Sequence, residues 1–180
     1  MNERFDFVKG QLNMQETPED PSVLLDAWLK NAQAKGISEY QAMVVATSDR
    51  KNQVSTRVVY LRDIIADGLV FYTNFNSKKG LDIETNCDVA INLFWKELEQ
   101  QIRIQGAIKK VNPDVSDAYF RERPRESQIG AWASDQSKEI PNRDYLEKQL
   151  IRYQKEFDGG PVSRPEHWGG YIVVPNYFEF

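Results

Sequence analysis

Between Ala42 and Ile108 the chain reads as one short strand after another, and this run constrains the fold more than any other feature. The segments AMVVAT (42–47), VSTRVVYL (54–61), LVFYTN (69–74), VAINLFW (89–95) and QQIRIQGAI (100–108) are rich in β-branched and aromatic residues. Turn signals join them, among them SDRKNQ and Asp67-Gly68. Several short strands at this spacing predict a barrel or a sandwich.

Helical signals flank the strands and interrupt them once. Asp20, Pro21 and Ser22 combine a capping carboxylate with a proline in the first turn. Val23, Leu24, Ala27, Trp28 and Ala32 follow at helical spacing, predicting a helix to about Lys35 that stops at Gly36. A second helix is predicted over 77–86, with Leu81 and Ile83 in a polar segment ended by Asn86. Asn112-Pro113 opens another through about Arg121, and RPRESQIGAW begins a further short one. Residues 143–157 place Leu146, Leu150, Tyr153 and Phe157 on one stripe, closed by Gly159-Gly160-Pro161. The tail WGGYIVVPNYFEF reads as a strand, a turn at Pro175-Asn176 and a new strand start. Residues 1–17 are polar and aperiodic and read as a flexible arm; 18–180 read as a single domain, mainly β with flanking helices.

Composition narrows the function. A net charge of -4 argues against a general binder of nucleic acid or anionic membranes, which needs a basic surface. No apolar run approaches the roughly 20 residues that span a bilayer. The start MNERFDFVKG has acidic residues and no apolar centre, so it does not read as a signal peptide. Cys87 is the only cysteine, which excludes an internal disulfide and fits a cytoplasmic location. With His167 the only histidine, no Cys/His metal cluster is expected and nucleophile–histidine pairs have little scope. His167 is expected to be an exposed loop residue, and Cys87 a buried, inert thiol.

What stands out is a set of cationic and amide side chains in or beside apolar strands. Arg57 lies within STRVVYLR, and Arg62 follows five positions later. That odd spacing would point the two to opposite faces of a regular strand, so either a bulge intervenes or they serve different pockets. Gln100, Gln101, Arg103 and Gln105 alternate with Ile102 and Ile104. Ser77, Lys78 and Lys79 come directly after FYTN, at a predicted helix start, where free N–H groups and two cations suit a phosphate.

Read together, AMVVATSD, STRVVYLR, GLVFYTNFNSKKG, LEQQIRIQG, YFRERPRESQIGAWASDQS and HWGG resemble the pyridoxine/pyridoxamine 5′-phosphate oxidase family, in that family's order and spacing. The resemblance implies a Greek-key split β-barrel that forms a homodimer, with FMN bound in clefts between subunits. Arg57, Val58, Val59, Tyr60, Leu61 and Arg62 would lie along the flavin and its ribityl phosphate. Tyr72, Thr73, Lys78 and Lys79 would hold the phosphate region. Gln101 would reach the flavin ring, while Gln136, Ser137 and Trp168 would complete the site from the partner subunit. The substrate, a phosphorylated B6 vitamer, would be held by Arg62, Tyr119, Arg123 and Ser127. Pro124 splits that last set, so Arg123 is expected at the end of one helix and Ser127 in the first turn of the next.

The implied reaction oxidises the C4′ amine or alcohol to the aldehyde, passes hydride to the flavin and returns it to oxygen as hydrogen peroxide. No residue is assigned as a general base. The chain departs from the family in three ways. Arg62 and Lys78 stand where lysine and arginine are usual. Phe5 and Phe7 occupy the arm positions nearest to an arginine and a tyrosine. The chain also ends at Phe180, before a strand pair with an Arg-x-His element and a further arginine, so that segment is expected to be missing. The departures keep two alternatives open: a non-catalytic flavin- or vitamer-binding protein of this fold, and a flavin reductase.

Overall fold

The structure, a computed structural model, describes residues 8–66 and 68–180. Phe5, Phe7 and Asp67 of the expected Asp67-Gly68 turn lie outside them. Helix α1 (Pro21–Ala34) begins where the sequence predicts, with Asp20 accepting from the Ser22 N–H at 2.8 Å. It is followed by Gly36 in the left-handed region at φ +68°, which a glycine adopts without strain. Leu25, Leu29 and Ala32 turn one face of α1 into the core.

Seven strands form one antiparallel sheet. They are β1 (Ala42–Ser48), β2 (Val54–Tyr60), β3 (Asp63–Ile65), β4 (Gly68–Asn74), β5 (Asp88–Trp95), β6 (Gln100–Lys110) and β7 (Trp168–Glu179), in the order β2-β1-β5-β6-β7-β4-β3. The outermost strands, β2 and β3, are consecutive in the chain, with only Leu61 and Arg62 between them. The sheet therefore has to curl until its two edges approach. The Leu61 N–H donates to the Gln41 carbonyl at 2.9 Å and the Arg62 N–H crosses to the Val70 carbonyl of β4 at 2.8 Å. The result is a curled half-barrel of split-barrel type. Its interior is filled by the inward-facing residues of each strand, among them Val45, Phe71, Ile91, Leu93, Ile102, Ile104, Tyr171 and Val173. β6 shows the alternation plainly: Ile102, Ile104 and Ile108 are buried and Gln101, Arg103 and Gln105 exposed.

Three expectations change. Pro175-Asn176 makes no turn, because β7 runs straight through it. The register against β6 slips there instead, with Gly106 opposite Pro175 and Gln105 opposite Tyr177, so Asn176 is the extra residue of a bulge. A bulge accommodates a proline that cannot donate to the ladder. The short β3, within LRDIIADG, has too few residues to show a period and was not anticipated. Cys87 is exposed rather than buried. Its carbonyl accepts from the Ile108 N–H at 2.8 Å, which holds the backbone against the sheet while the thiol stays outside.

Helix α2 (Lys78–Ile83) follows β4 and is shorter than predicted. Helices α3 (Pro113–Glu122), α4 (Arg125–Ala133) and α5 (Arg143–Glu156) form a second layer beside β4 and β7. Phe120, Ile129, Ala131, Val162 and Trp168 make its core, and Leu150, Tyr153 and Phe157 of the predicted stripe pack against it. No described helix is long and apolar enough to cross a membrane.

Candidate functional site

The end of β2, β4, the start of α2, the α3–α4 junction and the first residue of β7 surround a cavity of about 790 Å³. At one end lies Lys79, only 6% exposed. Its ammonium donates to Thr73 Oγ1 at 2.9 Å, Ser77 Oγ at 3.0 Å and Gln136 Oε1 at 3.0 Å. All three acceptors are neutral. Burial, helped by the nearby Arg57, pushes the Lys79 amine down to about 8. Helix α2 starts at Lys78 as the sequence suggests, but Ser77 does not cap it; its hydroxyl donates back to the Asn74 carbonyl at 2.7 Å. Gly80 seats this turn against Phe75, whose carbonyl oxygen would lie 1.9 Å from a Cβ added at Gly80.

The other two cations at this end are already tethered. Arg57 Nη1 donates to the Val45 carbonyl at 3.0 Å and to Thr47 Oγ1 at 2.8 Å. Thr47 in turn donates to Asp82 Oδ2 at 2.7 Å, and Lys78 forms an ion pair with Asp82 Oδ1. Asp82 is 2% exposed and supplies a negative charge to Lys78 and, through Thr47, to Arg57. Burial lowers the Arg57 pKa, and Asp82 opposes that shift. Sequence reading missed Thr47 and Asp82; the four-residue spacing of Lys78 and Asp82 was the available signal.

At the other end three rings lie nearly parallel. Tyr72 stacks on Tyr119 with centroids 3.8 Å apart at 4°, and on Trp168 at 5.5 Å and 9°. Burial pushes the Tyr72 hydroxyl up to about 12, so it stays protonated. The Arg123 guanidinium lies 4.4 Å from the Trp168 ring centroid. Its Nη1 is buried and makes no hydrogen bond, and burial lowers its pKa. The helix break falls as predicted: α3 ends at Glu122, Arg123 is extended, and Ser127 sits in the first turn of α4. Pro124 takes the cap position of α4. Glu122 and Pro124 also line the cavity, and sequence reading missed both.

A model of the pyridoxamine 5′-phosphate oxidase family matches residues 29–155. The chain belongs to that family. It is 51% identical over 161 residues to the pyridoxine/pyridoxamine 5′-phosphate oxidase of Bdellovibrio bacteriovorus, covering 89% of this chain and 82% of that one. The enzyme of the same name from Psychrobacter cryohalolentis is 44% identical over 181 residues, covering 99% of this chain and 84% of that one. Among solved structures, PhzG from Burkholderia lata, in complex with tetrahydrophenazine-1-carboxylic acid, superposes with a TM-score of 0.86 at 27% identity. That match covers 92% of this chain and 81% of PhzG. A pyridoxamine 5′-phosphate oxidase-related, FMN binding protein from Nostoc punctiforme shares the fold at a TM-score of 0.68 and 14% identity, covering 88% of this chain and 82% of that one.

Within this oxidase-family cavity the residues expected from sequence are mostly together: Arg57, Val58, Val59, Tyr60, Arg62, Tyr72, Thr73, Lys78, Lys79, Tyr119, Arg123, Ser127, Gln136, Ser137 and Trp168 all line it. The spacing of Arg57 and Arg62 resolves without a bulge. β2 ends at Tyr60, and Arg62 lies in the crossover to β3, its guanidinium 4.8 Å from the Tyr60 ring centroid. Leu61 does not line the cavity; it is 3% exposed and packs in the barrel core. Gln101 points outward from β6 into a separate cleft beside Phe94 and Gln100. Gln136, Ser137 and Trp168, expected from a partner subunit, line the cavity from the same chain, since the α4–α5 connection brings Gln136 to Thr73 at 3.0 Å. His167 is half-buried rather than exposed, its Nε2 lying 3.1 Å from the Ala131 carbonyl. Among the described residues no cluster of His, Cys, Asp or Glu could hold a metal ion.

Proposed function

We propose that this protein is an FMN-dependent oxidase that converts pyridoxamine 5′-phosphate or pyridoxine 5′-phosphate to pyridoxal 5′-phosphate. Oxygen is the electron acceptor and hydrogen peroxide the product. One observation carries the reading: a single cavity is lined by two half- to fully buried cations, Lys79 and Arg123, neither of which pairs with a carboxylate among the described residues. Lys79 is a buried ammonium bonded only to neutral oxygens, and Arg123 presents a buried N–H without a partner. A phosphate at one end would give Lys79 the opposite charge that its neutral acceptors do not, and a phosphate at the other would give the Arg123 N–H a partner, which suits one phosphorylated cofactor and one phosphorylated substrate.

Arg57, Thr73, Lys78, Lys79, Gln136 and Ser137 are the residues for the FMN phosphate, with Val58, Val59 and Tyr60 along its path and Trp168 at the far wall. Arg62, Tyr119, Arg123 and Ser127 are the residues for the vitamer phosphate. FMN bound there supplies the two-electron redox chemistry and the onward reaction with oxygen. The protein's own part is charge and position: two anchored phosphates fix the substrate's C4′ relative to the cofactor. For the amine, substrate, oxygen and water give the aldehyde, ammonia and hydrogen peroxide.

We also propose a homodimer. Val44, Val58 and Phe94 are exposed on β1, β2 and β5, and Val58 also lines the cavity. Gln101, which one chain leaves outside its own cavity, would serve the partner's. Sedimentation at micromolar concentration should give a dimer, and a flavin-loaded monomer would overturn this assembly. For the activity, the purified protein should be yellow, release FMN on denaturation and consume oxygen with pyridoxamine 5′-phosphate. A yellow protein that binds the vitamer and consumes no oxygen would instead make it a binding protein.

A further inference from the structure

The α3–α4 junction is held by a residue that lines neither end of the cavity. In a continuous helix the Phe120 carbonyl would accept from the N–H four residues on, but that residue is Pro124, which has none. Gln128 supplies the missing donor. Its Nε2 donates to the Phe120 carbonyl at 2.7 Å and reaches the Arg121 carbonyl at 3.4 Å. The Gln128 backbone N–H meanwhile donates to the Pro124 carbonyl at 3.0 Å, the first intrahelical bond of α4. One residue, 9% exposed, thus closes α3 with its side chain and opens α4 with its backbone. Between those two attachments lie Arg123 and Ser127.

We propose that Gln128 is a positioning residue for the substrate phosphate: its side-chain amide sets the angle between α3 and α4 and so aims Arg123 and Ser127 at one anion. This rests on the reading of that junction as the vitamer-phosphate site. The convergence of Arg123 and Ser127 depends on the angle because the Arg123 guanidinium is placed over Trp168 of β7, not by a hydrogen bond of Nη1. If α4 rotates away from α3, Ser127 moves with α4 while Arg123 stays on the ring, and the two no longer converge. Removing the donor also leaves the Phe120 carbonyl, in a buried place, with only the Arg123 N–H at 3.2 Å.

The test uses the flavin-loaded full chain with pyridoxamine 5′-phosphate, comparing Gln128→Met and Gln128→Glu with Arg123→Ala. Gln128→Met keeps the side chain's length without a donor, and KM should rise about tenfold with kcat within about threefold and flavin content unchanged. Gln128→Glu faces two carbonyls with a carboxylate at neutral pH. Its KM, relative to wild type at each pH, should recover as the pH falls and the protonated carboxyl donates again. Arg123→Ala should raise KM at every pH. If Arg123→Ala raises KM and both Gln128 variants do not, the positioning role is wrong and the phosphate assignment stands. If Arg123→Ala leaves KM unchanged, the junction is not the vitamer site. A Gln128→Glu defect independent of pH, or variants of Gln128 that lose flavin and kcat together, would also overturn the role, since it acts through the donor and on substrate binding alone.

Discussion

Replacing Lys79 by methionine should make the flavin-free protein more stable and its FMN binding weaker, two changes that rarely go together. Lys79 is nine-tenths buried with neutral acceptors only, and its amine is pushed down to about 8 from an ordinary 10.5. A shift of that size corresponds to about 3 kcal/mol of cost for keeping the folded site charged at neutral pH. Methionine fills similar volume and removes that cost, while three hydrogen bonds are lost. The remaining partners stay occupied, because Ser77 Oγ still donates to Asn74 and Thr73 Oγ1 to Gln136. A net gain of about 1–2 kcal/mol is expected, or roughly 2–8 °C in Tm for a chain of this size. FMN loses one charge-assisted contact worth about 1.5–3 kcal/mol, so Kd should rise roughly tenfold to 150-fold. Calorimetry of the apo protein and quenching of flavin fluorescence measure the two quantities. A lower apo Tm with unchanged FMN affinity would refute the reasoning, since Lys79 would then be a structural cation and not one held for an anion.

The same residue sets a pH dependence. Its folded-state pKa is lowered, so between about 8 and 10.5 the unfolded chain binds more protons and apo stability should rise with pH across that window. FMN binding should weaken over the same range, because the phosphate favours the protonated amine; Lys79→Met should flatten both curves, and unchanged curves would exclude Lys79 as their source. Arg123→Ala should weaken pyridoxal 5′-phosphate binding by about 1.5–3 kcal/mol and leave FMN largely intact. A mutant that loses flavin but keeps the vitamer would show the two phosphate ends to be interchanged. Thr47→Val leaves Arg57 with only the Val45 carbonyl and strips Asp82 Oδ2 of its donor. It should cost about 1–3 kcal/mol in urea unfolding, and an unchanged midpoint would mean that the link carries no strength.

Most of the strands and helices were legible because each carries a local signal. β6 shows two-residue alternation, Asp20-Pro21 caps α1, and Pro124 divides α3 from α4. What escaped depends on partners distant in sequence. The bulge at Asn176 exists because β7 must stay paired with β6 around Gly106, where a Cβ would lie 2.3 Å from the Val174 carbonyl. The link from Arg57 through Thr47 to Asp82 joins three elements that only the curled sheet brings together. Most residues that the family resemblance named line one cavity, but it could not show that Leu61 turns into the core just where β2 ends. Nor could it show that Gln136 reaches Lys79 within one chain.

The seat of Gly80 against Phe75 divides the α2 segment into positions free to change and one that is not. The Lys78 side chain is about half exposed while its ammonium reaches the buried Asp82, so a longer cation can stand there with little rearrangement. Gly80 has no such freedom: any side chain would meet main-chain atoms of Phe75, and the first turn of α2 would have to lift. Lys79 would lift with it and leave the acceptors that hold it. Substitution at the charged positions of this loop should therefore tune the site, whereas substitution at its one residue without a side chain should dismantle it.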